Sequence, residues 1–437
     1  MEWWLVLTIF WGGFLILLLA GVHIAISFWL INIIAAFYLM GGEAGLRQII
    51  LSIFDSVSNF NLLPIPMFIL MGEVMFMTGV ASDMMSALDK WIGRVPGRLG
   101  VLAVVGGTLF ATMSGAAVAG VAMLGSILVP EMEERGYKKP MSLGPILGSG
   151  GLAIMIPPSA LAIIMGALAD ISIGKLLIAI IIPGLLMAFF YALYIVLRCK
   201  IQPHLAPPYK VENVPLSEKL EATLRHILPL GFIVFSVIGL IFLGITTPSE
   251  AAAAGAMVCF LVAYFKGKLT RESFVKSVTN SLQITIMIFM IFTGATVYSQ
   301  ALAYSGATAG LVNTVVGLDL PPLVILVFMQ ASLILMGMFM EPMSIMMVTL
   351  PVFMPIVRSV GFNPVWFGAI MLLNMEMAVT SPPFGLGLFV MKGVAPPNTT
   401  MGDIYRAALP FLGCDALAMT CMIIFPQVVL WLPLMMR

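Results

Sequence analysis

The chain has 437 residues, of which 61% are hydrophobic and only 9% are charged, and its net charge is +1 at pH 7. Soluble domains have roughly 45–50% apolar and about 25% charged residues, so this composition is typical of an integral membrane protein. The small net charge disfavours a nucleic-acid partner. Four scattered cysteines without a CxxC pair disfavour a disulfide framework or a soft-metal site. No Walker loop, catalytic triad or zinc signature occurs, so we expect neither an enzyme nor an ATP-driven pump.

Residues 1–42 are predicted to form two transmembrane helices. No charged residue occurs between Trp3 and Gly42, a run that would be about 60 Å long as a helix and so long enough to cross a core of about 30 Å twice. Because no basic segment precedes the apolar pattern, we do not expect a cleavable signal peptide.

Residues 43–198 form the first predicted repeat. Its uncharged run from Leu99 to Pro130, within the predicted hairpin at 99–133, is too long for one crossing and too short for two of about 20 residues each. The small residues SGAAVAG occupy the middle of this run. We interpret the run as a re-entrant helical hairpin whose tip lies at Ser114 and Gly115.

A broken transmembrane helix is predicted at 140–169, where GSGGLAIMIPPS interrupts an uncharged run. Pro157 and Pro158 have no N–H group, so the carbonyls of Ala153 and Ile154 lose their helical partners. Freed carbonyls at membrane depth line a cavity or are buried in protein, where they suit a hard cation such as Na⁺. The alternative is a proline kink satisfied by neighbouring hydroxyl groups or water.

The second half repeats this order. A polar cytoplasmic connector at 199–225 and two scaffold helices at 226–265, with Ser249 as the expected cap of the second, precede a repeat at 266–437. That repeat begins with a basic interfacial segment predicted at Lys266–Asn280. It also contains a hairpin at 320–357 and a broken helix at 364–390, interrupted by TSPPFG. A shift of 225 residues superposes the two Pro-Pro pairs.

Topology is predicted from the lysines and arginines, which concentrate on cytoplasmic loops. With both termini periplasmic and both hairpins re-entrant, 17 of the 21 basic residues lie inside. This bias is lost if the first hairpin crosses the membrane. The two repeats are then inverted relative to each other, which is the architecture of secondary transporters.

Polar groups near the tips and breaks are the candidate ligands. Each of the hydroxyl groups has the alternative of bonding within its own helix. Three carboxylates in apolar sequence, Glu73, Glu341 and Glu376, must face protein or water, and they either support a cation site, carry a proton or bond a backbone end. The predicted substrate-binding residues are Ser114, Gly115, Ser149, Gly150, Ser159, Thr380 and Ser381.

Four segments resemble the large membrane subunit of TRAP transporters, the tripartite ATP-independent periplasmic carriers. They are GGLAIMIPPS, PSEAAAAGA, GMFMEPMSIMMVTLPVFMPI and NMEMAVTSPPFGLGLFVMKG. The resemblance implies an elevator-type carrier driven by two or more Na⁺ ions. It also implies a small four-helix membrane subunit and a soluble periplasmic binding protein as partners.

The resemblance further implies two Na⁺ sites, each between a hairpin tip and a broken helix. The first consists of Ser114 with Ala153, Ile156 and Pro158, and the second of Gly337 with Ala378, Ser381 and Phe384. Many similar proteins carry Thr at the position of Gly151, so a side-chain ligand is missing there.

The sequence therefore predicts sodium-coupled uptake of a small organic acid across the bacterial inner membrane. One alternative is a stand-alone organic-anion symporter, coupled to sodium or protons, that needs no partner. The other is a polytopic membrane scaffold without transport. No Arg lies in either broken helix or hairpin core to clamp a carboxylate, so the sequence does not name the acid.

Overall fold

The computed structural model describes residues 2–115, 117–209 and 214–436, and all regular secondary structure in these ranges is helical. Seven of the described helices are long and apolar enough to span a membrane, which confirms the prediction of an all-α polytopic membrane protein. The helices of the first half are α1 Trp3–Leu19, α2 Ile24–Leu39, α3 Glu43–Val57, α4 Pro64–Met77, α5 Val80–Trp91, α6 Arg98–Ser114, α7 Ala117–Glu134, α8 Lys139–Gly151, α9 Ala160–Leu168, α10 Ile173–Ala179 and α11 Ile181–Ile201. Those of the second half are α12 Leu216–Phe242, α13 Pro248–Phe265, α14 Arg271–Tyr304, α15 Ala307–Gly317, α16 Pro322–Gly337, α17 Pro342–Ser359, α18 Pro364–Thr380, α19 Leu386–Val394, α20 Met401–Ile424 and α21 Gln427–Met435.

Two helical pairs occupy the positions of the predicted hairpins. The turn between α6 and α7 includes Gly115, whose φ of 57° is left-handed and therefore suits glycine. A turn of four residues joins α16 to α17. Their re-entrant topology stays a prediction.

Two broken helices follow the helical pairs. The chain is interrupted between α8 and α9, and again between α18 and α19, and both Pro-Pro peptide bonds at these interruptions are cis. The shift of 225 residues also relates the first residues of α7 and α17, Ala117 and Pro342, and those of α8 and α18, Lys139 and Pro364. This agreement of helix starts supports the predicted repeat.

The helices pack into an inner and an outer group. In the inner group α8 packs against α6, α7 and α20, and α18 packs against α16, α17 and α20. In the outer group α4 packs against α13 and α14, and α14 also packs against α2 and α3. Contacts of α4 with α6 and α9 join the two groups, so α4 lies beside the first half of the inner group.

The polar connector folds back onto the first helical pair. Arg98, at the start of α6, donates a hydrogen bond of 2.6 Å to the Tyr209 hydroxyl. Arg135, just after α7, lies over the Tyr209 ring with its guanidinium carbon 4.0 Å from the ring centroid. Lys138 N donates to Leu205 O at 2.9 Å. The connector therefore ties the open ends of α6 and α7 together, and α12 begins within the segment predicted as connector.

Two predictions about local structure are wrong. The cap of α13 is Thr247 rather than Ser249: its hydroxyl accepts from Glu250 N at 3.3 Å, and Glu250 Oε2 accepts from Thr247 N at 2.8 Å. Pro248 at the first helical position suits this arrangement, because its fixed φ is helical and the missing N–H needs no partner there. The interfacial segment predicted at Lys266–Asn280 is not separate, since most of it continues without a break into α14.

Candidate transport site

A cavity of 270 Å³ lies between the outer helices α4 and α14 and the turns of the inner group. Both halves of the chain contribute to its lining. Its volume is slightly below the range of about 300–1,000 Å³ that is usual for ligand pockets, so it suits a small ligand. The residues that line it are Ile69, Gly72, Glu73, Phe76, Phe110, Gly115, Ala117, Val118, Ala119, Ile154, Ala160, Leu161, Ile284, Ile288, Glu341, Pro342, Met343, Val379 and Leu386.

Four helices begin at this cavity. The first residues of α7, α9, α17 and α19, which are Ala117, Ala160, Pro342 and Leu386, all line it. A helix N-terminus presents unpaired N–H groups and a partial positive charge. Four of them at one cavity therefore favour an anionic group there.

Each helical pair contacts a broken helix at its turn. A Cβ placed on Gly115 would lie 3.0 Å from the carbonyl oxygen of Pro158, and one placed on Gly337 would lie 2.7 Å from the Cβ of Ala378. Both glycines thus permit a close approach that a side chain would prevent. The structure brings together the tip and the broken helix that the sequence predicted for each cation site.

The first break leaves backbone oxygens without helical partners. Met155 N and Ile156 N both donate to Leu152 O, at 3.0 and 2.8 Å, and the next two residues are prolines without an N–H. The carbonyls of Ala153 and Ile154 therefore receive no bond from the following turn. Buried carbonyl oxygens of this kind are suitable ligands for a hard cation.

The second break is built similarly. Gly385 N donates to Ser381 O at 2.9 Å, which closes the turn after α18. Ala378 is buried against Gly337, and its helical partner would have been the N–H that Pro382 lacks. The Phe384 ring lies at the surface with 54% exposure and contacts the Phe339 ring, so only its backbone suits the role predicted for Phe384.

The predicted hydroxyl ligands bond within their own helices. Ser149 Oγ donates to Pro145 O at 2.5 Å, and Ser381 Oγ donates to Met377 O at 2.8 Å. Thr380 Oγ1 is 3.4 Å from the same Met377 oxygen. These bonds leave the hydroxyl oxygens able to accept another partner. None of these three hydroxyl residues is among those that line the cavity.

The other predicted substrate-binding residues lie in different surroundings. Ser159 caps α9, where its hydroxyl accepts from Ala162 N at 3.3 Å. Gly150 packs against Val121 on α7 and is not among the residues that line the cavity. Gly115 lines the cavity, and the side chain of Ser114 lies outside the described part of the structure.

A buried polar cluster joins three helices behind the breaks. The Tyr191 hydroxyl on α11 donates to Asp415 Oδ1 on α20 and lies 3.4 Å from Glu376 Oε1 on α18. All three side chains are at most 1% exposed. Sequence reasoning singled out Glu376 but missed Tyr191 and Asp415. The isolated Asp415 in the apolar run of α20 was a signal for it, because an ionisable group in such a run needs a buried partner.

Gly151 explains how this cluster reaches the first broken helix. A Cβ placed on Gly151 would lie 2.0 Å from Glu376 Oε1. The Glu376 carboxyl group thus fills the space that a side chain at position 151 would need. The lack of a side chain at position 151 and the buried Glu376 carboxyl group thus belong to the same packing contact between α8 and α18.

The apolar helices, the two interrupted helices and the cavity shared by both halves define a class: a multi-pass membrane protein of secondary-transporter type. A family model described as tripartite ATP-independent periplasmic transporter, DctM component, matches residues 11–428. The chain belongs to this family, and it is a transporter component rather than an enzyme.

The chain is similar to curated relatives over most of their length. The chain is 33% identical to the C4-dicarboxylate TRAP transporter large permease protein DctM of Pseudomonas aeruginosa, covering 89% of both chains. It is 28% identical to the sialic acid TRAP transporter large permease protein SiaM of Vibrio cholerae, covering 96% of this chain and 97% of that protein. The solved YdaH transporter of Alcanivorax borkumensis has the same fold, with a TM-score of 0.67 at 14% identity over 94% of this chain and 99% of that one.

Proposed function

We propose that this chain carries out sodium-coupled secondary active uptake of a small organic acid across the bacterial inner membrane. The observation that carries the proposal is the cavity at which α7, α9, α17 and α19 begin. Their N-termini offer N–H donors and partial positive charge, so the cavity can bind a carboxylate although no arginine is among its described lining residues. The names of the curated relatives support an acid: C4-dicarboxylates in one case and sialic acid in another.

Sodium is the proposed coupling ion, at two sites. The first consists of Ser114, Ala153, Ile156 and Pro158, and the second of Gly337, Ala378, Ser381 and Phe384. Partnerless carbonyls at the first break and the close contact of Gly337 with Ala378 support these sets, because Na⁺ prefers oxygen ligands. Bound Na⁺ supplies positive charge, which favours the acid nearby. The protein's own contribution is to hold the tips against the broken helices.

The proposed movement is of the elevator type, with the inner group sliding against the outer one. The position of the cavity between α4 and α14 and the inner turns supports this proposal, because a ligand there contacts both groups. The family implies two partners for this movement: a small four-helix membrane subunit and a periplasmic binding protein. Both termini are proposed to lie in the periplasm.

Reconstitution in liposomes tests this proposal. The chain, the small subunit and the binding protein encoded beside it are incorporated together, and uptake of the acid bound by that binding protein is measured with and without an inward Na⁺ gradient. We expect uptake only with all three proteins and with the gradient. Uptake by this chain alone would favour a stand-alone symporter, and uptake driven equally by a proton gradient without Na⁺ would contradict sodium coupling.

Ser381→Ala is a sharp variant for the same assay. It removes a hydroxyl whose bond to Met377 O is local, so the fold should tolerate it, whereas one of the proposed Na⁺ ligands is lost. We expect a higher half-saturating Na⁺ concentration and an unchanged affinity of the binding protein for the acid. Thr420→Ala is the matched control, since Thr420 also bonds the carbonyl four residues earlier but is exposed. Equal Na⁺ dependence in both variants would contradict the second site.

A further inference from the structure

The lining of the cavity carries negative charge. Glu73 on α4 and Glu341 in the turn between α16 and α17 both line it. The described lining residues include no Lys, Arg or His. The rest of the described lining is mostly apolar. Two carboxyl groups thus lie at the same cavity as four helix N-termini.

Neither carboxyl group accepts a hydrogen bond from a cationic side chain among the described residues. Glu73 Oε2 accepts a hydrogen bond of 3.2 Å from the amide of Asn280, and Glu341 Oε1 accepts one of 2.9 Å from the hydroxyl of Ser344. Both donors are uncharged. No ion pair to either glutamate occurs among the described residues, although His23 lies near enough to Glu341 to interact electrostatically.

The charges around the cavity are close to balance. Four helix N-termini contribute about +0.5 each, or about +2 in all, and the two carboxyl groups contribute −2 when both are ionised. A dianion would gain from the N-termini but would face two like charges across a small space. A neutral apolar ligand would leave both kinds of charge without a partner. A ligand with one negative and one positive end matches both.

We propose that the cavity takes a zwitterion: a small acid that carries an ammonium group or another cationic nitrogen in addition to its carboxylate. The inference rests on the proposed function, since it names the class of acid carried. The carboxylate lies at the helix N-termini, and the nitrogen lies toward Glu73 and Glu341. Because Glu73 belongs to the outer group and Glu341 to the inner one, the nitrogen is held from both groups.

Three probes of matched length test the class directly. 4-Aminobutyrate, succinate and butyrate each have four carbons and a carboxylate at one end. They differ in whether the other end carries an ammonium group, a second carboxylate or a methyl group. Binding to the purified full-length chain is measured in NaCl by the shift in thermal unfolding across a concentration series. We expect 4-aminobutyrate to bind about tenfold more tightly than the other two, as the loss of one charge-assisted hydrogen bond costs about that factor.

Glu73→Gln and Glu341→Gln assign the effect to the carboxylates. Each should lower the affinity for 4-aminobutyrate about tenfold and leave that for butyrate unchanged, while Glu272→Gln, at an exposed position on α14, should change neither. A wild-type preference for succinate, or a preference for 4-aminobutyrate that survives in both variants, would overturn the inference. If the variants do not fold, the wild-type comparison of the three probes decides it.

The result separates this inference from the proposed function. Na⁺-dependent uptake of a dicarboxylate by the complete carrier, together with tight binding of succinate, would contradict the proposal of a zwitterionic ligand. It would still agree with sodium-coupled uptake of an acid. Binding of none of the three probes would also overturn the inference. Uptake that ignores Na⁺ would contradict the proposed function whatever the probe preference is.

Discussion

Gly151→Ala should destabilise the protein through a single contact. The added Cβ would lie 2.0 Å from Glu376 Oε1, 2.8 Å from Cδ and 2.9 Å from Cγ, and Glu376 is fully buried. Its carboxyl group must therefore move away from Tyr191 or push α8 from α18. Overpacking a core costs about 1–3 kcal/mol, and leaving a buried polar group without its partner costs about 1–3 kcal/mol more. We expect a total of roughly 2–6 kcal/mol.

The measurement is a double-mutant cycle of thermal unfolding in detergent, with Gly151→Ala, Glu376→Ala and the double variant. Removing the Glu376 side chain frees the space, so Gly151→Ala should cost much less in the Glu376→Ala background. Gly413→Ala is the control, since no atom lies within 4 Å of a Cβ there. An equal cost of Gly151→Ala in both backgrounds would refute the steric reasoning, and so would a cost as small as that of Gly413→Ala.

Two further substitutions test how the inner group is held together. Gly337→Ala places a Cβ 2.7 Å from the Cβ of Ala378, and we expect it to raise the half-saturating Na⁺ concentration in the uptake assay. Gly317→Ala, which has open space around the added Cβ, should leave that concentration unchanged. Equal half-saturating Na⁺ concentrations in the two variants would contradict a role for the Gly337 contact. Tyr209→Ala removes the ring under the Arg135 guanidinium. We expect the connector to be cleaved faster by protease, because an interaction worth about 0.5–2 kcal/mol is lost. Tyr209→Phe keeps the ring and should retain most of the resistance to proteolysis. Identical proteolysis of both Tyr209 variants would exclude the stacking.

The breaks and turns could be predicted from the sequence because their causes are local. Proline lacks an N–H wherever it occurs, and glycine is the residue that most readily adopts the left-handed φ found at Gly115. Thus the interruptions at Pro157 and Pro382 and the position of the first turn follow from a few neighbouring residues.

The polar cluster could not be predicted, because its members are far apart in the chain. Tyr191 is 185 residues from Glu376 and 224 from Asp415, and their meeting depends on the rotation of three helices relative to one another. Hydrophobic spacing does not fix that rotation in helices that are apolar on every side. The boundary of α14 was missed for a related reason: polar residues at its start do not end a helix when their backbone bonds continue.

The cavity depends on both halves of the chain. The first half supplies the N-termini of α7 and α9 and the second half those of α17 and α19, so neither half by itself builds more than half of the positive potential. We expect a deletion within either half to displace one pair of N-termini and to leave the other pair in place. The proposed carboxylate site therefore depends on the packing of the helices in both halves of the chain.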